Sequence, residues 1–108
     1  MSIISSILYW LLRSIRGSLT PLQVEAKLKE LAAATPEHLQ WRSSVVDLLK
    51  LLQQESGHSG RKALAEQFGY RGKAAEGSAE KNNWLYGEIM RRLIAQEIAI
   101  PPPKGEIQ

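Results

Sequence analysis

The chain has 108 residues, enough for one domain of ordinary size and not for two. An apolar fraction of 44% and a charged fraction of 23% exclude a wholly disordered chain, and the mild net charge of +3 gives no concentrated nucleic-acid-binding face. The absence of cysteine excludes disulfides, thiolate chemistry and cysteine-ligated zinc.

Residues 2–16 have the pattern of an amphipathic helix. At 100° per residue, their aliphatic side chains cover an arc of about 180°. These side chains are Ile3, Ile4, Ile7, Leu8, Leu11, Leu12 and Ile15. Trp10 lies at the edge of this arc, Arg13 and Arg16 lie on the other side, and the first 24 residues contain no acid.

This N-terminal segment matches neither a membrane span nor a secretory signal. Its apolar run, residues 3–12, is about half as long as a spanning helix needs to be. The arginines follow the apolar run, whereas a secretory signal carries its positive charge before it. We expect a protein of the bacterial-type cytoplasm, peripheral at a membrane if this helix binds lipid.

The second predicted helix lies between two prolines. Thr20 caps its start, Pro21 suits its first position, and Gln23 can complete a capping box. Pro36 disfavours helical geometry at Thr35 and so ends the helix. The buried stripe is predicted to be Val24, Leu28, Leu31 and Ala32.

The third predicted helix, over residues 45–54, is the most apolar one. Ser44 is its predicted N-cap, and Asp47 is predicted to reach back to Ser44. Aliphatic residues cover more than half of its circumference, so we place it at the centre of a bundle. The predicted core consists of Val46, Leu49, Leu52, Leu64, Phe68, Leu85 and Ile89.

Glycines and prolines delimit the rest of the chain. Residues 55–60 are a predicted connection, and a short helix over residues 61–68 follows and is closed by a glycine. After a polar loop, Ser78 caps a last helix over residues 79–98. The triple proline at 101–103 forbids continuation, and the last residues are expected to form a frayed tail.

These elements predict an all-α fold, a small bundle of four to five helices with an N-terminal amphipathic helix. We divide the chain into that helix (residues 1–17), a helical bundle domain (residues 18–100) and a proline-rich C-terminal tail (residues 101–108). No pattern predicts a β-sheet or an internal repeat.

No residue pattern indicates catalysis or metal binding. His38 and His58 each lie near a predicted turn, and no cysteine accompanies them. No serine lies in a nucleophile elbow, and no glycine-rich run between a strand and a helix could cradle phosphate. We therefore expect no catalytic residue, no metal, no cofactor and no small-molecule substrate.

The stretch from Leu64 to Tyr70 is similar to the first half of a helix-turn-helix. Ala65 is small enough to let a second helix approach, and Gly69 could make the turn. A recognition helix should begin about three residues after that glycine. Here a glycine-containing stretch intervenes, so a DNA-binding regulator is kept as the alternative function.

Two interpretations are open for Trp84, which falls opposite the apolar stripe of the last helix, near Arg91. It packs under the loop of residues 70–77, which we favour, or it contacts a partner, because Trp and Arg are enriched at interface hot spots. Trp41 is expected to anchor the core, with the stem of Arg42 beside it.

Three stretches carry a resemblance to a known family. They are residues 41–52 (WRSSVVDLLKLL), residues 61–70 (RKALAEQFGY), and Ser78 and Ala79 with Asn82, Trp84, Leu85 and Met90. The chain resembles the bacterial family named domain of unknown function 3597, and residues 1–8 also look like the start of that family. The resemblance implies a small helical fold, no assigned activity and no catalytic residues.

Two departures from the family pattern bear on function. Members often place a low-complexity linker between the N-terminal segment and the globular part, whereas this chain has only residues 17–19 there. Tyr86 stands where a histidine is common, which argues against a histidine site shared by the whole family.

We predict a non-catalytic interaction module that docks through its N-terminal helix to a membrane surface, a protein partner or a second copy of itself. Packing of that helix on its own bundle stays open. A protein partner or self-association is expected, a membrane surface is a further candidate, and nucleic acid is not expected. The predicted contact residues are Ile4, Leu8, Trp10, Leu11, Arg13, Arg16, Trp84 and Arg91.

Overall fold

The structure is a computed structural model that describes residues 17–103. Over that range the chain has no strand and forms four helices, in agreement with the predicted all-α bundle. They are α1 (Pro21–Ala33), α2 (Val45–Leu51), α3 (His58–Gln67) and α4 (Ala79–Ile94). The predicted amphipathic helix over residues 2–16 lies outside the described residues.

Side-chain caps start three of the four helices. At α1 the capping box is complete, because Gln23 N–H donates to Thr20 Oγ1 and Thr20 N–H donates to Gln23 Oε1. Ser44 Oγ accepts from the backbone N–H of Asp47 at 3.1 Å, as predicted. The carboxylate of Asp47 does not reach back to Ser44, because it accepts from Gln40 N–H at 2.7 Å instead.

Three helix boundaries differ from the predicted ones by three residues or more. The helix α2 ends at Leu51 and α4 ends at Ile94, each earlier than predicted, because Gln53 (φ 61°) and Gln96 (φ 57°) adopt left-handed backbone. Two backbone hydrogen bonds close these ends: Gln54 N–H donates to Leu49 O, and Glu97 N–H donates to Arg92 O. The helix α3 begins at His58, three residues earlier than predicted, without a side-chain cap.

The core is centred on α2, as predicted. This helix packs against both α1 and α4, which also pack against each other. Val46 is only partly buried, in contrast to the prediction, and Leu48 takes its place at the centre with no exposed surface. The buried core residues are Val24, Leu28, Leu31, Trp41, Val45, Leu48, Leu49, Leu51, Leu52, Leu64, Ala65, Phe68, Leu85, Ile89, Leu93 and Ile98.

The triple proline is part of the helical body. Ile98 is buried, Ile100 packs against the core, and Gln53 Nε2 donates to Pro102 O at 2.9 Å. The prolines line a cleft of about 480 Å³ together with α1 and Ile100. Residues 101–103 therefore contact the body, and the last residues, 104–108, for which a frayed tail was predicted, lie outside the described range.

Leu49→Ala should lower the free energy of unfolding by about 2–5 kcal/mol, because Leu49 has no exposed surface and its truncation leaves a cavity. Leu22→Ala is the matched control, since Leu22 is 81% exposed. It should change the stability by less than about 0.5 kcal/mol. Urea unfolding measures both variants, and equal losses would contradict the placement of α2 at the centre.

Two glycine-to-alanine substitutions should have opposite effects. Gly69 has φ +84°, so Gly69→Ala should cost about 1–2 kcal/mol even though a Cβ meets no atom within 4 Å. Gly87 lies inside α4 with equally open surroundings, and Gly87→Ala should stabilise by about 0.5–1 kcal/mol. Thermal unfolding should therefore shift in opposite directions, and a shift of the same sign would show that backbone conformation does not dominate at these positions.

Candidate interaction surface

The N-terminal segment joins the body where the start of α1 meets the end of α4. Leu19 N–H donates to Ile94 O at 2.7 Å, and the Leu19 side chain packs against the core. Two residues earlier, Gly17 has φ +82° and turns the chain. Six of the predicted contact residues precede this point and lie outside the described residues: Ile4, Leu8, Trp10, Leu11, Arg13 and Arg16.

The surface beside this junction is uncharged and carries an exposed leucine. Residues 17–24 include no charged side chain, and the first charge on α1 is Glu25. Leu22, in the first turn of α1, is 81% exposed and is the one exposed large hydrophobic side chain among the residues that the structure describes. Sequence analysis missed Leu22, although it falls on the side of α1 away from the predicted buried stripe.

Trp84 packs against the loop that precedes α4. The centroids of the Trp84 and Tyr70 rings lie 4.8 Å apart in an edge-to-face arrangement. Tyr70 is itself held, because its hydroxyl accepts from Ala74 N–H and the Lys81 ammonium lies 5.0 Å from its ring centroid. The packing interpretation of Trp84 agrees with this geometry, which leaves the residue partly buried.

Arg91 lies seven residues after Trp84 on the same face of α4 and is 55% exposed. Its guanidinium is paired with Glu88, at 2.6 Å, and Arg92 also binds Glu88, at 3.0 Å. The hydrogen bond from Arg91 lowers the pKa of Glu88, and the bond from Arg92 lowers it further. Partial burial raises this pKa, but by less than the arginines lower it. Arg91 is therefore accessible to a partner but already has a counter-ion in the body.

The stretch from Leu64 to Tyr70 has the turn of a helix-turn-helix without an adjacent second helix. The helix α3 ends at Gln67, Gly69 makes a left-handed turn, and α4 begins only at Ala79. Lys81, in the first turns of α4, is 14% exposed and pairs with Glu76 at 2.9 Å. The first basic side chain of α4 is thus engaged within the body.

A cleft of about 440 Å³ lies between the start of α2 and the start of α4. Three of its polar side chains have partners in the body: Arg42 pairs with Glu25, Asn82 Oδ1 accepts from Arg61 at 2.9 Å, and the Tyr86 hydroxyl donates to Trp41 O at 2.8 Å. Neither a carboxylate nor a histidine lines this cleft.

Burial raises the pKa of Tyr86, the Glu25 carboxylate raises it further, and Arg42 opposes both effects. The Tyr86 hydroxyl is therefore a hydrogen-bond donor at neutral pH and not a base.

Trp41 and Arg42 have the roles predicted for them. Trp41 is 4% exposed, and the Arg42 guanidinium lies 4.3 Å from its ring centroid. Within residues 17–103, no three histidine or acidic side chains come close enough to hold a metal ion. No helix in this range is both long and apolar enough to cross a membrane.

Comparison with known protein families gives a match. The family described as "Domain of unknown function (DUF3597)" matches residues 13–101. This range covers all four described helices and begins within the predicted N-terminal helix, so residues 1–12 lie outside it. Neither a curated protein nor a solved structure matches the chain.

Glu88→Gln should flatten the acid side of the pH–stability profile. The folded-state pKa of Glu88 is lowered, so its stabilisation is full above the unfolded value of about 4.3 and is lost as the pH falls through the folded value. At neutral pH we expect a loss of about 0.5–1 kcal/mol, because the pairs are partly exposed. Chemical unfolding between pH 2 and 7 (a range of about five units around carboxylate titration) measures this.

The control for that experiment is Glu66→Gln, because the Glu66 side chain is exposed and has no partner among the described residues. Its profile should follow that of the unaltered chain. If both variants lose the same acid dependence, the Glu88 ion pairs are not its source.

Proposed function

This chain belongs to the family of domain of unknown function 3597, whose description gives no activity, and we propose that it is a non-catalytic interaction module. Its helical body carries the N-terminal segment, and that segment docks the protein to another surface. The observation that carries the proposal is the closed core of the body, to which residues 24–98 contribute side chains from all four helices.

The amphipathic pattern at residues 2–16 can serve either the core of the body or an outside surface. If the body needed this segment as a core element, removing it should leave a large apolar face on α1 to α4. The one exposed large hydrophobic residue of the described body is Leu22. The apolar arc of about 180° on the segment is wide enough to bind a surface outside the body.

The side chains of the body also support a non-catalytic role. Catalytic acids and bases need perturbed pKa values at groups that can reach a substrate. Glu88, whose pKa is lowered, is held by two arginines, and Tyr86, whose pKa is raised, donates to a backbone carbonyl. Both shifts thus belong to contacts that hold the body together.

A chain that starts at Ser18 tests the proposal. It should unfold cooperatively at a temperature within a few degrees of that of the full chain. The reason is that all buried core residues lie between residues 24 and 98 and are kept in the shortened chain. The full chain should self-associate or bind vesicles, and the shortened chain should do neither. Circular dichroism, analytical ultracentrifugation and vesicle sedimentation measure these properties.

A full-length control separates the loss of length from the loss of the apolar face. Leu8→Asp with Leu11→Asp keeps all 108 residues but places charge in the predicted apolar arc, and it should behave like the shortened chain. Unfolding of the chain that starts at Ser18 would contradict the proposal, since the N-terminal segment would then be a core element.

A further inference from the structure

We propose that the cleft of about 440 Å³ between the start of α2 and the start of α4 binds the phosphate group of a small organic phosphate. This function goes beyond docking by the N-terminal segment, and every residue that it uses lies in the described body. Two observations point to an anion: a buried arginine without a counter-ion lies behind the cleft, and the unused polar groups of the cleft are mainly hydrogen-bond donors.

Arg61 is the buried cation. It is 6% exposed and is the one polar or charged residue buried among residues 17–103. Its Nε donates to Ser56 O at 3.1 Å and its Nη1 donates to Asn82 Oδ1 at 2.9 Å, so both partners are neutral. None of the ion pairs within that range includes Arg61. Because buried arginines are usually paired with an anion, its positive charge is left uncompensated by the described body.

Asn82 connects this charge to the cleft. The side chain lines the cleft, and its Oδ1 must face Arg61, because a guanidinium offers donors and no acceptor. The Nδ2 group of Asn82 then carries two donors that have no partner in the part of the chain that the structure describes. The bond from Arg61 polarises the amide and strengthens these donors. An anion beside Nδ2 is therefore favoured both by the hydrogen bond and by the charge behind it.

Arg42 supplies a donor from the opposite wall, just before α2. Its side chain is 57% exposed and its guanidinium lies 4.3 Å from the Trp41 ring centroid. Glu25 accepts from its Nε and Nη2, which holds the guanidinium and leaves Nη1 unbonded within residues 17–103. Ser43 and Asn83 also line the cleft, with side chains that make no hydrogen bond in that range. Glu25 itself does not line the cleft.

The arrangement of these donors favours a phosphate group. They lie on two facing walls, and a tetrahedral phosphate can accept hydrogen bonds from both, whereas a planar carboxylate presents two oxygens in one plane. Val46 and Ala79 add apolar surface to the cleft. Its volume is within the range of about 300–1,000 Å³ that is usual for small-molecule sites. The cleft therefore has room for an organic group beyond the phosphate.

Titration of the full chain with phenyl phosphate, followed by NMR, tests the proposal. The side-chain amide signals of Asn82 and Asn83 should shift saturably, with a Kd of about 1 mM or lower. Inorganic phosphate should shift the same signals with weaker affinity, because it lacks the apolar group. Absence of a saturable shift, or equal affinity for phenyl phosphate and phenol, would overturn the proposal. Benzoate that binds as tightly as phenyl phosphate would also overturn the assignment to phosphate.

Asn82→Asp separates ligand binding from the structural role of Arg61. The aspartate can still accept from Arg61 and provides the missing counter-ion, so the melting temperature should be unchanged or raised. It loses the Nδ2 donors and repels an anion, so the Kd for phenyl phosphate should rise at least about tenfold. If Arg61 only holds α3 against α4, this variant should bind phenyl phosphate as the unaltered chain does, and that result would overturn the proposal.

Gln67→Glu is the control for the change in net charge. Gln67 is exposed at the end of α3 and does not line the cleft, so this variant should keep its Kd within about twofold. Should Asn82→Asp fail to fold, Arg42→Gln carries the test, because its side chain is exposed. It should raise the Kd about tenfold, and an unchanged Kd would overturn the proposal. These results leave the docking function untouched, since no variant alters residues 1–16.

Discussion

The burial of α2 is the constraint on which the rest of the body depends. Leu48, Leu49 and Leu51, and Leu52 at its C-terminal end, are each at most 1% exposed, so most of this helix is buried. Only Val46, Asp47 and Lys50 face outward. A helix of seven residues is not stable alone in water, and it persists here because α1 and α4 pack against it and against each other. The fold is therefore closed around its least polar segment.

Most charges of the body act within the body. Arg61, 6% exposed, donates to Ser56 O and to Asn82 Oδ1, which fixes the start of α3 to α4. Lys81 and Arg91 have carboxylate partners as well. A docking surface built on charge must therefore draw on groups outside these pairs, and the sequence places two such groups in residues 1–16.

Local chemistry made most of the fold predictable, and contacts between distant residues account for the rest. Thr20, Ser44 and Ser78 cap amides three residues away, so each is visible in the sequence. A glutamine in left-handed backbone follows α2 and another follows α4. Because glycine is the usual sequence signal for such a helix end, both ends were predicted too far along the chain. The position of the proline segment depends on the hydrogen bond from Gln53 to Pro102 O, 49 residues later in the chain, which no local pattern encodes.

The candidate site also has one part that the sequence predicts, residues 2–16, and one part that depends on packing, the start of α1. Residues 17–19 join the two parts. The amphipathic pattern is local and predictable, whereas the exposure of Leu22 and the bond from Leu19 to Ile94 emerge only from packing. Residues 17–19 can span at most about 11 Å, so the link between residue 16 and the start of α1 is short. If the N-terminal segment docks as proposed, this short link holds the start of α1, with Leu22, near the docking surface.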